Sequence, residues 1–301
     1  MMKISVVGMG RVGGATAFAL VARGVPQELV LVGRTREKTL GDAYDLLHAS
    51  AFVRRMQIRA GELADAAGSD IILICVSAVT DTAGDRQAGA AANARLLREL
   101  IPVLTEGSPQ AVFVVMTNPV DVCAYITLRS SGLPAAQVLG TGTLIDTGRF
   151  RSLISQETGI NTNDIRAYIL GEHGETQFPA LSVASAGGVR IDPDDASVRA
   201  HFEEARLGGH RVMQYKGYTN YAVAMSATLI CEAIATNAHS ILPVSTLVDG
   251  FKGISDVCLS LPCVIGSRGV EQVLSIDLND EETRLLQQSA AVLREILDKV
   301  G

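Results

Sequence analysis

His173 sits in Gly171-Glu-His-Gly174, where glycines set a histidine on a tight, ligand-accessible turn after an apolar run. An imidazole gives or takes a proton near neutral pH, so this turn can carry acid/base chemistry. A core histidine is the competing reading, and the turn alone does not choose between them. His48, His201, His210 and His239 fall in helical or helix-end contexts and read as structural or solvent-facing. Asp146 and Arg149 lie three residues apart, on one face of a helix predicted over 144–157. In isolation a helical salt bridge explains that pair best. An aspartate can, however, orient an imidazole and stabilise its protonated form, and an arginine can grip a carboxylate through two parallel hydrogen bonds.

A second group of residues suits a phosphorylated ligand. Gly8-Met-Gly-Arg-Val-Gly13 follows a short apolar strand and opens a helix. Gly8, Gly10 and Gly13 there permit a tight turn that lets a pyrophosphate approach the helix N-terminus, with Arg11 and Val12 against the same ligand. The second strand of such a unit should end in a carboxylate that bonds the adenosine ribose. Here it ends Val32-Gly33-Arg34-Thr35-Arg36. A carboxylate repels a 2′-phosphate, whereas glycine followed by Arg34, Thr35 and Arg36 can accept one; a solvated loop is the plain alternative. NADP(H) is therefore the expected cofactor, with NAD(H) as the other option and no metal. Asn118, in Thr117-Asn-Pro-Val-Asp121, ends a strand where ligands of open α/β sheets bind, and could bond a reacting oxygen or cap a turn. Arg86, in Gly84-Asp-Arg86, falls where a closing loop would lie, although a solvated charge is the commoner outcome.

The elements that must position these groups are legible in the hydrophobic pattern. Continuous apolar runs at 2–7, 28–32, 71–76 and 111–116 alternate with helical stretches at 12–22, 35–49 and one ending near residue 104. Such strands imply a parallel sheet covered on both faces, the Rossmann-type doubly wound α/β architecture. After about residue 140 the pattern becomes α+β. A strand is predicted at 165–170, a helical stretch over 202–215 interrupted at Gly208-Gly209, and a long helix over 219–237. Short strands follow near 242–248, 257–261 and 264–265. Asn279-Asp-Glu-Glu282 is a capping box that starts a final helix to residue 300. The expected division is a dinucleotide-binding domain over 1–140 and a substrate domain over 141–301.

Composition narrows the partners. The 301 residues carry a net charge of −6 without a block of like charges, so a nucleic-acid partner is not expected. Five cysteines, an odd number with no CxxC spacing, read as reduced core thiols. The chain enters its first strand at once, which leaves no room for a signal peptide, and no run approaches a membrane span. A cytoplasmic protein is expected.

Taken in order, these motifs resemble the lactate/malate dehydrogenase family. The resemblance rests on the glycine motif at 8–13, Asp45-Leu-Leu-His48, the stretch 117–121, Gly140-Thr-Gly-Thr-Leu-Ile-Asp146-Thr-Gly-Arg149, the turn 171–174 and Lys216-Gly-Tyr-Thr219. It covers nearly the whole chain and is nearest to the L-2-hydroxyisocaproate dehydrogenase branch. The resemblance implies that His173 is the acid/base and that Asp146 orients it. It implies that Arg149 grips the substrate carboxylate and that Arg86 polarises the carbonyl. Asn118, ahead of a cis proline, would bond the same oxygen and the nicotinamide side, and Thr219 and Val223 would border the pocket. A homodimer or homotetramer is the matching expectation.

Two departures stand out. Gly33 replaces the acidic ribose ligand, and the loop 79–85 lacks both the arginine of malate enzymes and the glutamine of lactate enzymes. The sequence thus implies a 2-hydroxyacid dehydrogenase for monocarboxylic substrates, with malate dehydrogenase and a non-catalytic NADPH sensor as alternatives. A short-chain dehydrogenase is excluded, because no tyrosine has a lysine four residues on. An NAD-dependent glycosidase would be longer and would recruit a metal.

Overall fold

The computed structural model describes residues 2–78 and 86–301, with the backbone alone for 86–88. Strands β1 (Lys3–Val7), β2 (Glu28–Val32) and β3 (Gln57–Gly61) are linked by helices α1 (Arg11–Ala22) and α2 (Arg36–Ser50). Then come β4 (Ile71–Ile74), α3 (Arg86–Gly107), β5 (Val112–Val115), α4 (Val120–Ser131) and β6 (Val138–Gly140). These six strands run parallel in the order β3-β2-β1-β4-β5-β6, so the order reverses between β1 and β4. A ligand crevice opens at such a reversal, beyond the carboxyl ends of the strands. The chain of β4 (IILI) and of β5 (VFVV) is buried at every position, as strands covered on both faces must be.

The remainder begins with α5 (Leu144–Thr158), β7 (Ile165–Arg166), β8 (Ile169–Leu170), β9 (Phe178–Pro179), β10 (Ser185–Ala186) and β11 (Val189–Arg190). It continues with α6 (Ala196–Lys216), α7 (Tyr221–Ala235), β12 (Ser240–Phe251), β13 (Ile254–Gly266), β14 (Gly269–Val273) and α8 (Asp280–Val300). Strands β12 to β14 are antiparallel and extend the same sheet past β6, touching it through Ser245 opposite Gly140. The doubly wound sheet followed by an α+β region is thus the observed fold. Among the described residues no helix is long and apolar enough to cross a membrane.

Several local expectations change. The predicted short strands near 242–265 are one long hairpin, β12–β13, in which Pro243 faces Pro262. Pro262, which has no N–H to donate, falls in the gap between two of the predicted strands and breaks the sequence signal without breaking the sheet. The strand expected over 165–170 is two, β7 and β8, which join different sheets. Helix α6 runs unbroken through Gly208-Gly209. Strand β3 was not anticipated; it lies at the sheet edge and is only partly buried, so it has no continuous apolar run. The capping box is present as expected: Glu282 N donates to Asn279 Oδ1 at 2.9 Å, and Asn279 N to Glu282 Oε2 at 3.1 Å.

Candidate active site

The glycine loop is shaped by close approach. Gly8 has φ +107°, and a Cβ there would stand 2.6 Å from the Cys75 carbonyl carbon and oxygen. A Cβ on Gly13 would stand 2.0 Å from the Gly8 oxygen, whereas Gly10 opens to free space. Helix α1 starts at this loop with no side-chain cap and no acidic residue in its first turn. Its amide N–H groups and positive end are therefore available to an anion, and the residues present fit a dinucleotide. The Arg11 guanidinium stacks 4.2 Å from the centre of the Tyr218 ring, which ties the loop to the α6–α7 connection. At the end of β2, Arg34 and Thr35 are exposed. Arg36 pairs with Glu62 at 2.9 Å, with both side chains about two-thirds exposed, rather than standing free beside Arg34. An exposed pair of this kind is weak, so it does not lock Arg36 away from a ligand.

The second half of the site is built by α5 docking on β8. Thr143 Oγ1 donates to the Ile169 carbonyl at 2.5 Å, Ile169 N donates to Thr147 Oγ1 at 2.9 Å, and Thr143 N donates to Ser260 Oγ at 3.0 Å. These bonds carry Asp146, on the first turn of α5, to the turn that follows β8. That turn is pinned as well. Gly171 has φ +89°, exchanges backbone hydrogen bonds with Ser260, and has no room for a Cβ beside Ser289.

His173 consequently meets Asp146, with Nδ1 2.6 Å from Asp146 Oδ2, while Arg149 Nη1 donates to Asp146 Oδ1 at 2.7 Å. Asp146 is 1 % exposed and the His173 side chain 27 %, so the carboxylate is dry and the imidazole can still reach a ligand. Burial pushes the imidazole pKa down, but the Asp146 charge and hydrogen bond, with the Asp121 charge, outweigh it against the opposing Arg149. The net result lies above the ordinary histidine value. Arg149 passes close along α6: a Cβ on Gly208 would stand 3.1 Å from Arg149 Cδ, and one on Gly209 3.6 Å from Nη2. The paired glycines therefore make room for that side chain and do not mark a helix break.

Sequence reasoning missed two supports of this arrangement. Asp121 is buried, and its Oδ2 accepts the His173 backbone N–H at 2.7 Å. Burial raises its pKa to about 6, against the opposing hydrogen bond from the His173 backbone. Asn93 donates from Nδ2 to the Asn118 carbonyl at 2.8 Å and accepts from Ala78 N at 2.7 Å. The Asn118–Pro119 peptide is cis, as the resemblance implied. Asp121 lies inside the 117–121 motif, whose residue types give it no role, and nothing in the sequence marks Asn93. His173, Asp146 and Arg149 are joined directly, and the Asn118 segment reaches them through Asp121. Thr219 stands half-buried between α6 and α7, and Val223 packs against the core from α7. The loop 79–85 and the Arg86 side chain lie outside the described residues.

Comparison with known proteins covers nearly the full length. The family model described as lactate/malate dehydrogenase, NAD binding domain, matches residues 2–140, and the alpha/beta C-terminal domain model of that family matches 143–301. An L-lactate dehydrogenase of Synechococcus sp. is 38% identical over 99% of this chain and 99% of its own. One from Acetivibrio thermocellus is 37% identical over 98% and 96%. Among solved structures, a lactate dehydrogenase from a Medee basin deep-sea metagenome library superposes with a TM-score of 0.95 at 33% identity, covering 99% and 98%. The minor L-lactate dehydrogenase of Enterococcus mundtii, in a ligands-bound form, also gives 0.95, at 30% identity over 100% and 98%.

Proposed function

The chain belongs to the lactate/malate dehydrogenase family, and from that premise we propose that it is an L-2-hydroxyacid dehydrogenase for monocarboxylic 2-oxo acids that prefers NADP(H). The observation that carries the enzymatic reading is the hydrogen-bonded chain His173–Asp146–Arg149. A binding module would have no need of a proton relay beside a carboxylate clamp. A reduced dinucleotide held through its pyrophosphate at the glycine loop would supply hydride to the carbonyl carbon. His173, whose Nδ1 is taken by Asp146, gives the proton on its other ring nitrogen to the carbonyl oxygen. Asp146 fixes that tautomer in the neutral ring and stabilises the imidazolium. Arg149 spends one nitrogen on Asp146 and offers the rest of its planar fork to the substrate carboxylate.

Asn118 and Arg86 are assigned to the carbonyl oxygen, Asn118 also to the nicotinamide, and Thr219 to the pocket wall. These roles follow from the family resemblance, and the residue divisions 1–140 and 141–301 from the change of hydrophobic pattern near residue 140. A homodimer or homotetramer fits the exposed Phe18, Tyr44, Phe52, Tyr221 and Met225 on or beside α1, α2 and α7. A cytoplasmic location accords with the same reading.

The monocarboxylic preference rests on residues 79–85, which hold no lysine or arginine for a second carboxylate and include Asp81 and Asp85. The NADP(H) preference rests on Gly33 with Arg34, Thr35 and Arg36. Well-formed charge-assisted hydrogen bonds contribute about 1.5–3 kcal/mol each. Exposure and salt place the expected discrimination at the lower end, roughly tenfold. A panel of 2-oxo acids assayed with NADPH and with NADH tests the whole reading. The expected result is highest kcat/KM for an apolar monocarboxylic acid with NADPH. Oxaloacetate as the best substrate would favour a malate dehydrogenase, equal use of NADH would reduce the arginines to a solvated loop, and no turnover with any acid would leave an NADPH sensor.

Arg149→Lys should raise KM for the 2-oxo acid by roughly tenfold to a hundredfold, the equivalent of one lost charge-assisted hydrogen bond. An ammonium cannot hold Asp146 and a carboxylate in one plane. An unchanged KM would remove Arg149 from substrate binding.

A further inference from the structure

Position 33 lies at the end of β2, where the first residues after the strand face the adenosine end of a dinucleotide. Gly33 does not have the positive φ that favours glycine, so backbone conformation would admit another residue there. Volume forbids it. A Cβ on Gly33 would stand 2.1 Å from Thr39 Oγ1 and 3.1 Å from Met9 Cβ. Thr39 is 3% exposed on the first turns of α2, and its hydroxyl donates to the Thr35 carbonyl at 3.0 Å. That bond fixes the oxygen in the place where any side chain at 33 must begin. Such a Cβ would lie 3.4 Å from Thr39 Cβ, an ordinary contact, so the hydroxyl oxygen alone makes the severe overlap.

We propose that Thr39 is a specificity-determining residue for the cofactor, acting by occupying the space of a ribose-binding side chain at position 33. The chain lacks both the carboxylate and the room for one. The adenosine 2′ position then meets backbone and the exposed Arg34, an environment open to a 2′-phosphate. The inference rests on the NADP(H) reading of this loop but adds a residue six positions further on that touches no ligand itself. Its consequence is that cofactor preference is set jointly by 33 and 39, and a change at 33 alone is overpacked.

The test compares the wild-type chain with Gly33→Asp, Gly33→Asp/Thr39→Ala and Gly33→Asp/Thr39→Ser. Direct binding of NADH and NADPH is followed by nicotinamide fluorescence, and Tm is measured without cofactor. Gly33→Asp should melt several degrees below wild type, or fail to fold, and should gain little affinity for NADH. Gly33→Asp/Thr39→Ala should recover Tm and move the NADH-to-NADPH affinity ratio roughly a hundredfold toward NADH. The serine double variant keeps the hydroxyl and should behave like Gly33→Asp. Thr39 has no such role if Gly33→Asp alone reaches the ratio and Tm of the alanine double variant, or if alanine and serine rescue equally. A wild-type chain that binds both cofactors equally overturns the NADP(H) reading instead; the difference between the alanine and serine variants still decides the part played by Thr39.

Discussion

Replacing His173 with asparagine is expected to lower kcat by about 10²–10⁴-fold, the usual span of general acid/base assistance, while affinity for the cofactor is kept. Asparagine can still hydrogen-bond Asp146, so the turn at 171–174, anchored by Ser260 and Asp121, should hold its shape. It cannot shuttle a proton. The cofactor cradle is built by Gly8 against Cys75 and by Gly13 against Gly8, on another part of the sheet, and does not depend on the imidazole. Single-turnover reduction and nicotinamide fluorescence titration separate the two effects. A variant with near-normal kcat would remove His173 from the mechanism. One that lost cofactor binding as well would mean that the turn, and not the proton, had been damaged.

The second large effect is expected from Asp146→Asn, which should lower kcat on the order of 10⁴-fold and raise KM as well. The carboxylate has two partners, His173 on Oδ2 and Arg149 on Oδ1, in a nearly dry site. The amide leaves the imidazole without its counter-charge and allows the wrong tautomer, and it leaves Arg149 without its anchor. The sign of the pH effect follows from the raised His173 pKa. Reduction of the 2-oxo acid needs the imidazolium, so in the wild-type chain its rate holds until pH passes the raised pKa and then falls. Removing the Asp146 charge lowers that pKa, and the alkaline limb should move to lower pH. Profiles of kcat and kcat/KM for reduction measure this. If KM alone rises and the limb stays in place, Asp146 serves Arg149 and not the histidine.

By itself the sequence determined the elements whose signals are local. Of the parallel strands, β4 and β5 are unbroken apolar runs and β1 and β2 are mostly apolar, and the glycine loop sits at a strand-to-helix junction where backbone approach demands glycine. The capping box before α8 needs only residues 279 and 282. Motif order supplied the grouping of His173 with Asp146 and Arg149; spacing could not, because 27 residues separate histidine from aspartate.

Tertiary structure alone decided what depends on distant chain segments meeting. The hydrogen bonds of Thr143 and Thr147 to β8 bring α5 under the histidine turn. Asp121 reaches the His173 backbone from a helix 52 positions earlier. Strand β3 is held by its partner β2 rather than by its own hydrophobicity. Gly33 read as a missing carboxylate, and only the packing of α2 on β2 revealed that the Thr39 hydroxyl already fills the space. Local pattern encodes backbone conformation and which face is buried. Which atoms then share a volume is fixed by packing across the fold, which no window along the chain contains.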